Sequence, residues 1–147
     1  MPDEQNKDNQ TLLQAVAANA EMGQTALEQL VPMAEDGLFR AELLREKNEY
    51  RQFGQEAQTC LAASGATTQG QSVFAKANAK MGISMKTLTD KSTRNMAEMV
   101  AEGAQQGVID CIERIRDCPG ATPGAKRLAQ RLQDFEQDCA QRMQSFL

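Results

Sequence analysis

The chain has no histidine and no tryptophan, a single tyrosine, and only 4% aromatic residues among its 147. Without histidine no mixed Cys/His zinc site can form, and the side chain best suited to shuttling protons near neutral pH is missing. Its four cysteines (Cys60, Cys111, Cys118, Cys139) contain no C-x-x-C pair and are too few and scattered for a disulfide framework. They read as free, mostly buried thiols. No apolar run reaches the roughly 18 residues of a membrane span, and the polar, acidic start lacks the basic and apolar segments of a signal peptide. Basic residues number 16 against 20 acidic ones, a net charge of -4. They are interleaved with the acids, which argues against a nucleic-acid partner. Neither a nucleophile motif nor a Gly-rich phosphate loop is present. These absences point to a cytoplasmic protein and weigh against an enzyme.

What remains is a composition made for helices. The 41% hydrophobic fraction draws heavily on Ala and Met, β-branched and aromatic residues are few, and Gly and Pro cluster at a handful of places. The length suits one helical domain over residues 9–147, preceded by a disordered polar stretch, 1–8.

The first helix is expected to start after Asp8 or Asn9, either a sound N-cap. Leu13, Val16, Ala20, Gly23, Leu27, Leu30 and Ala34 then recur at threes and fours, the inward seam of a bundle helix. Pro32 predicts a kink or early end, and Gly37 a left-handed C-cap. The second helix follows at once, with a seam of Phe39, Leu43, Glu46, Tyr50, Phe53, Ala57 and Cys60. Ser64, Gly65, Thr67, Thr68 and Gly70 break it.

Residues 72–118 read as one helix would run roughly 70 Å, nearly twice the roughly 37 Å of the neighbours. The run is therefore split near Thr87–Ser92, whose residues cap helices better than they continue them. The first piece, 72 to about 88, carries Phe74, Ala77, Met81, Met85 and Leu88. The second carries Met96, Met99, Gly103, Gly107, Cys111, Ile115 and Cys118 and stops before Pro119-Gly120. Thr122-Pro123 opens the last helix, with Ala125, Leu128, Leu132, Phe135, Cys139 and Phe146 on one face.

Two hairpins joined by a long crossover give an all-α four-helix bundle of ferritin-like layout, with an extra helical segment between helices 2 and 3. The alternative is an up-down bundle whose third helix protrudes into a partner subunit. Asn19-Ala20-Glu21-Met22 also has a faint echo in Asn95-Met96-Ala97-Glu98-Met99, each in the first helix of a hairpin.

Asn19-Ala20-Glu21-Met22-Gly23, Leu88-Thr89-Asp90-Lys91-Ser92-Thr93 and Ala97-Glu98-Met99 carry a resemblance. Through them the chain resembles a group of uncharacterised small bacterial helical-bundle proteins with a ferritin-like fold, over most of its length after the polar start. The resemblance implies a fold and no activity.

A ferritin-like bundle raises the expectation of a di-iron or di-manganese centre, built from one Glu on each of two helices and Glu-x-x-His on the other two. Glu21 and Glu98 could supply the single carboxylates, and Glu46 or Glu49 with Glu136 the motif carboxylates. The histidines are absent, since Glu49, Gln52 and Cys139 stand at the matching positions. Solvated charges on helix flanks are the plainer reading.

Glu46 fits that plainer reading badly. It lies on the seam between Leu43 and Tyr50, where an unpaired carboxylate would cost several kcal/mol. It must reach a basic partner, take a proton, bind a cation or escape to the surface by a local change of phase. Tyr50, one turn on, could donate its hydroxyl to such a group. The eight methionines read first as core filler, then as an adaptable contact surface, and last as soft ligands for copper. Gly103 and Gly107, four apart, permit close helix approach.

The functional expectation is a non-enzymatic bundle that associates with itself, as a homodimer, or with another protein. The rivals are a carboxylate-only iron or manganese protein and a bundle with an apolar small-molecule pocket.

Overall fold

A computed structural model of the chain describes residues 2–65 and 88–147, and the side chains from residue 5 onward. The expected helical piece over 72–88 and its Phe74, Ala77, Met81 and Met85 lie outside the described residues, Leu88 apart. The described chain is all helix, with four long elements: α1 (Pro2–Leu30), α2 (Gly37–Ala63), α3 (Thr93–Asp117) and α4 (Pro123–Met143). No strand occurs among the described residues, and no helix there is long and apolar enough to cross a membrane.

The ends of the helices follow from local chemistry. Pro32 has no N–H to continue α1, and the chain tightens into a 3-10 turn over Val31–Met33 before Ala34 extends. Gly37 therefore does not end α1 as a left-handed cap; it is the first residue of α2, behind Asp36, whose carboxylate accepts from Phe39 N–H at 2.8 Å. Ser92 caps α3 by accepting from Asn95 N–H at 3.2 Å, at the place expected for a helix start. Thr122 caps α4 in the same way, with Pro123 in the first turn.

The first helix begins earlier than the Asp8 or Asn9 start. Both residues lie inside α1, and their side chains hold the turn between α3 and α4 instead. Asp8 accepts from Gly120 N–H at 2.7 Å, and Asn9 accepts from Thr122 N–H at 3.1 Å and from its hydroxyl at 2.8 Å. A good capping side chain has been used for a tertiary contact.

α1 packs closely on α2, and α3 on α4. Asp8 with Gly120 and Asn19 with Gly107 set α1 antiparallel to α3. Glu42 with Arg142, Tyr50 with Glu136 and Glu56 with Arg131 set α2 antiparallel to α4. Hence α2 and α3 run in the same direction, and the last residue of α2 and the first of α3 lie at opposite ends of the bundle. The faintly similar Asn19 and Asn95 are not equivalent: one is mid-way along α1, the other in the first turn of α3.

The core is the expected seam with three slips. Leu12, Leu13, Val16, Ala20, Leu27, Leu30, Phe39, Leu43, Phe53, Ala57, Met96, Leu128, Leu132 and Met143 are all buried. Cys60 is exposed and Leu61 is buried in its place. Gly103 is exposed while Ala104 is buried, and on α4 the stripe passes through Glu136 and leaves Phe135 half-buried. The slips at Cys60 and Phe135 are steps of four where three was read, and the one at Gly103 is a shift by a single residue, because 3.6 residues per turn fits neither spacing over a long helix.

Candidate functional site: a buried acid layer between the hairpins

Midway along the bundle the apolar core is interrupted by two glutamates. Glu46 on α2 is 0% exposed and Glu136 on α4 is 2% exposed. They are solved differently.

Glu136 sits in a place made for it. Tyr50 donates its hydroxyl to Oε2 at 2.9 Å, and the Cys111 thiol faces Oε1 at 3.9 Å. A Cβ on Gly107 would fall on this carboxyl group, so the glycine leaves the space the acid fills. Asn19 on α1 closes the arrangement, donating to Gly107 C=O at 3.2 Å and to Cys111 Sγ at 3.5 Å. Gly23 does for Tyr50 what Gly107 does for Glu136: a Cβ there would lie 2.5 Å from the ring's Cζ. Phe135 then meets the Tyr50 ring edge-on, with centroids 5.0 Å apart. All four helices thus contribute to one polar layer.

Glu46 has no such reception. Among the described residues neither of its oxygens has a hydrogen-bond partner. The Glu42 carboxylate and the Cys139 thiol are near enough to act on its proton without closing a hydrogen bond. The cation on its own helix, Arg45, is committed to Glu42 at 2.7 Å, and Arg142 also reaches Glu42 at 3.5 Å. Burial raises Glu42, but the Arg45 and Arg142 guanidiniums hold its carboxyl below the ordinary value. The surface escape open to Glu46 in the sequence is closed, and among the described residues no cation forms a direct ion pair with it.

The proton resolves the matter. Burial, reinforced by the Glu42 carboxylate, pushes Glu46 up to about 9. Burial pushes Glu136 up to about 8 despite the hydrogen bond from Tyr50 and the facing Cys111 thiol. At neutral pH both acids are therefore held as neutral carboxylic acids, the form that costs least in an apolar surround. The thiols follow: burial raises Cys111 to about 12 and drives Cys139 higher still. Burial and the nearby Glu136 carboxyl likewise raise Tyr50 well above its ordinary value. No group in the layer is prepared to act as a nucleophile.

The other acids considered as metal ligands stay apart. Glu21 is half-buried on α1, its carboxyl raised by burial, and Glu49 is half-buried on α2. Glu98 is exposed beside Arg94 at 3.5 Å. Among the described residues no three Cys, Asp or Glu side chains converge on a point where a metal ion could sit. The donors that do face the core are two acids, a phenol and two thiols, each holding its proton. Two carboxyl groups in the layer fall short of the four that an iron or manganese centre of this layout uses.

The sequence marked Glu46 and Tyr50 together, and the structure puts both in this layer, with Tyr50 bonded to Glu136 instead of Glu46. Glu136 carried a sign of its own: Leu128, Leu132, Glu136, Cys139 and Met143 recur at fours and threes. The aromatic Phe135 beside it concealed that stripe. Asn19, Gly23 and Gly107 were invisible as a set, because they come from two helices and each acts on a different helix from its own.

A groove of about 320 Å³ runs between α1 and α3, over Leu12, Val16, Cys111 and Ala129 and beside Asn19 and Arg114. It is open at the side, unlike an enclosed apolar core cavity. No known protein family, curated protein or solved structure matches the chain.

Proposed function

We propose that the chain is a non-enzymatic, cytoplasmic helical bundle of ferritin-like layout that works through its surface, binding a second copy of itself or another protein. The layout is supported by the common direction of α2 and α3, which two hairpins with a single long crossover require. The extra helical segment proposed for that crossover falls on residues outside those described.

One observation carries the surface reading. The acids, phenol and thiols in the middle of the molecule are shut away from solvent, while large apolar side chains stand in water. Leu38 is 79% exposed at the start of α2, and Ile109 and Ile112 are each 47% exposed one turn apart on α3. Val108 and Ile115 lie half-buried beside the two isoleucines. Single exposed apolar residues mean little, but a branched pair with apolar neighbours on one helix face is what a contact surface needs.

Light scattering coupled to size exclusion over a range of concentrations tests this. The chain should show a mass above its 16.1 kDa or retain a protein partner, and Ile109→Lys with Ile112→Lys should abolish that association with the helical content unchanged. A strictly monomeric, partnerless particle, or one whose association ignores both substitutions, contradicts the reading.

A further inference from the structure

The two buried acids lie on opposite sides of one seam. Glu46 belongs to the α1–α2 hairpin and Glu136 to the α3–α4 hairpin, and α2 meets α4 far more sparsely than each helix meets its hairpin partner. Across this seam run the ring contacts of Phe39 with Phe146 and of Tyr50 and Phe53 with Phe135, and three polar pairs. They are Glu42 with Arg142 at 3.5 Å, Tyr50 with Glu136 at 2.9 Å and Glu56 with Arg131 at 2.9 Å.

The groups that face the acids include little positive charge. Around Glu46 these are Glu42 and Arg45 on its own helix and Cys139 on α4, with Arg45 already bonded to Glu42. Around Glu136 they are Asn19 on α1, Tyr50 on α2 and Cys111 and Asp110 on α3, none of them a cation. Ionising either acid therefore places a negative charge in an apolar layer beside a further carboxylate, Glu42 for one and Asp110 for the other. Water is the only solvation that could replace a cation, and it can enter where the packing is thinnest.

We infer that the α2–α4 seam is a proton-operated latch, closed while Glu46 and Glu136 carry their protons and parting along its length when they ionise. The hairpins themselves, each held by a long apolar seam, stay intact. Opening uncovers Tyr50, Phe53 and Phe135 and leaves the α1–α3 contact as the hinge side. The latch does not depend on the surface-binding reading.

The molecule contains its own probe. Tyr50 is the chain's single tyrosine and no tryptophan obscures it, so tyrosine emission reports from inside the latch. Acrylamide quenching of that emission is followed on the full chain from about pH 6 to about pH 9.5, alongside far-ultraviolet circular dichroism. The expected result is weak quenching at the acid end, a several-fold rise at the alkaline end, and nearly constant helical content. The double variant Glu46→Gln with Glu136→Gln, which cannot ionise, should stay weakly quenched throughout. Should that double variant fail to fold, Glu46→Leu alone serves, and the rise should move to the single remaining acid and shrink. Three results overturn the inference: quenching that does not change with pH, a rise that persists equally in the variants, or a loss of helix in step with the rise, which would mean that the whole chain unfolds.

Discussion

Glu136 and Glu46 occupy comparable depths on neighbouring helices, yet one has been given a site and the other has not. Around Glu136 two glycines are spent, one to admit the carboxyl and one to admit the tyrosine that bonds it. Around Glu46 the neighbours are a carboxylate and a thiol, and both oxygens are left unbonded. Both acids keep their protons, for different reasons: Glu136 in spite of partners that would favour its charge, Glu46 because burial and the Glu42 carboxylate outweigh the weaker pull of the Cys139 thiol and Arg45. Depth in the core sets the protonation state, and local partners decide whether the residue also holds the fold together.

Breaking the better-built side should do most damage. In Gly107→Ala the new Cβ takes the place of the Glu136 carboxyl, which must swing out, leaving Tyr50 O–H without its acceptor. Chemical denaturation should show a loss of about 2–4 kcal/mol, the range for overpacking plus a broken buried hydrogen bond. Gly103→Ala, four residues earlier with nothing in its way, should instead gain roughly 1 kcal/mol from helix propensity. Equal effects at the two glycines would mean that Glu136 is not seated against Gly107.

The contrast between the acids is sharpened by removing polarity from each in turn. Tyr50→Phe strips the partner from Glu136 and should cost about 1–3 kcal/mol, since the buried acid loses its hydrogen bond. Glu46→Leu removes an acid that nothing bonds, and should be neutral or stabilising by about 1–2 kcal/mol, as apolar replacement of an unsatisfied buried group often is. Melts of the two variants side by side decide it. A large loss in Glu46→Leu would show that Glu46 has a partner essential to the fold.

Much of this was legible in the sequence. The seam of α1, the seam of α2 as far as Ala57, the caps at Ser92 and Thr122, and the conflict at Glu46 all follow from periodicity and capping chemistry. What escaped had specific causes. Leu61 for Cys60 and Glu136 for Phe135 are choices between steps of three and four, and Ala104 for Gly103 is a shift by one residue; at Phe135 the more apolar side chain, and at Gly103 the more permissive one, was the wrong choice. Asp8 and Asn9 look like helix starters, but their carboxylate and amide serve a turn more than a hundred residues away, which no local pattern records. The glycines that make the acid layer possible were read only as inward, closely packing positions, because their role lies in the side chain each one faces.

Stability should also depend on pH in a direction opposite to that of an ordinary ion-paired protein. The folded state binds Glu46 and Glu136 protons up to about 9 and about 8, whereas the unfolded chain releases them in the ordinary carboxylate range. Between those limits the native state holds more protons, so stability is greatest below the unfolded value and falls as pH rises, by up to about 1.4 kcal/mol per pH unit for each acid. The most direct measurement is the carboxyl-carbon titration of all glutamates by nuclear magnetic resonance on the folded chain, with Glu46→Leu and Glu136→Gln used to assign the outliers. The account predicts two resonances that remain in the protonated position at pH 7 while the rest have ionised, one missing from each variant. A chain in which every glutamate titrates in the ordinary carboxylate range would contradict it.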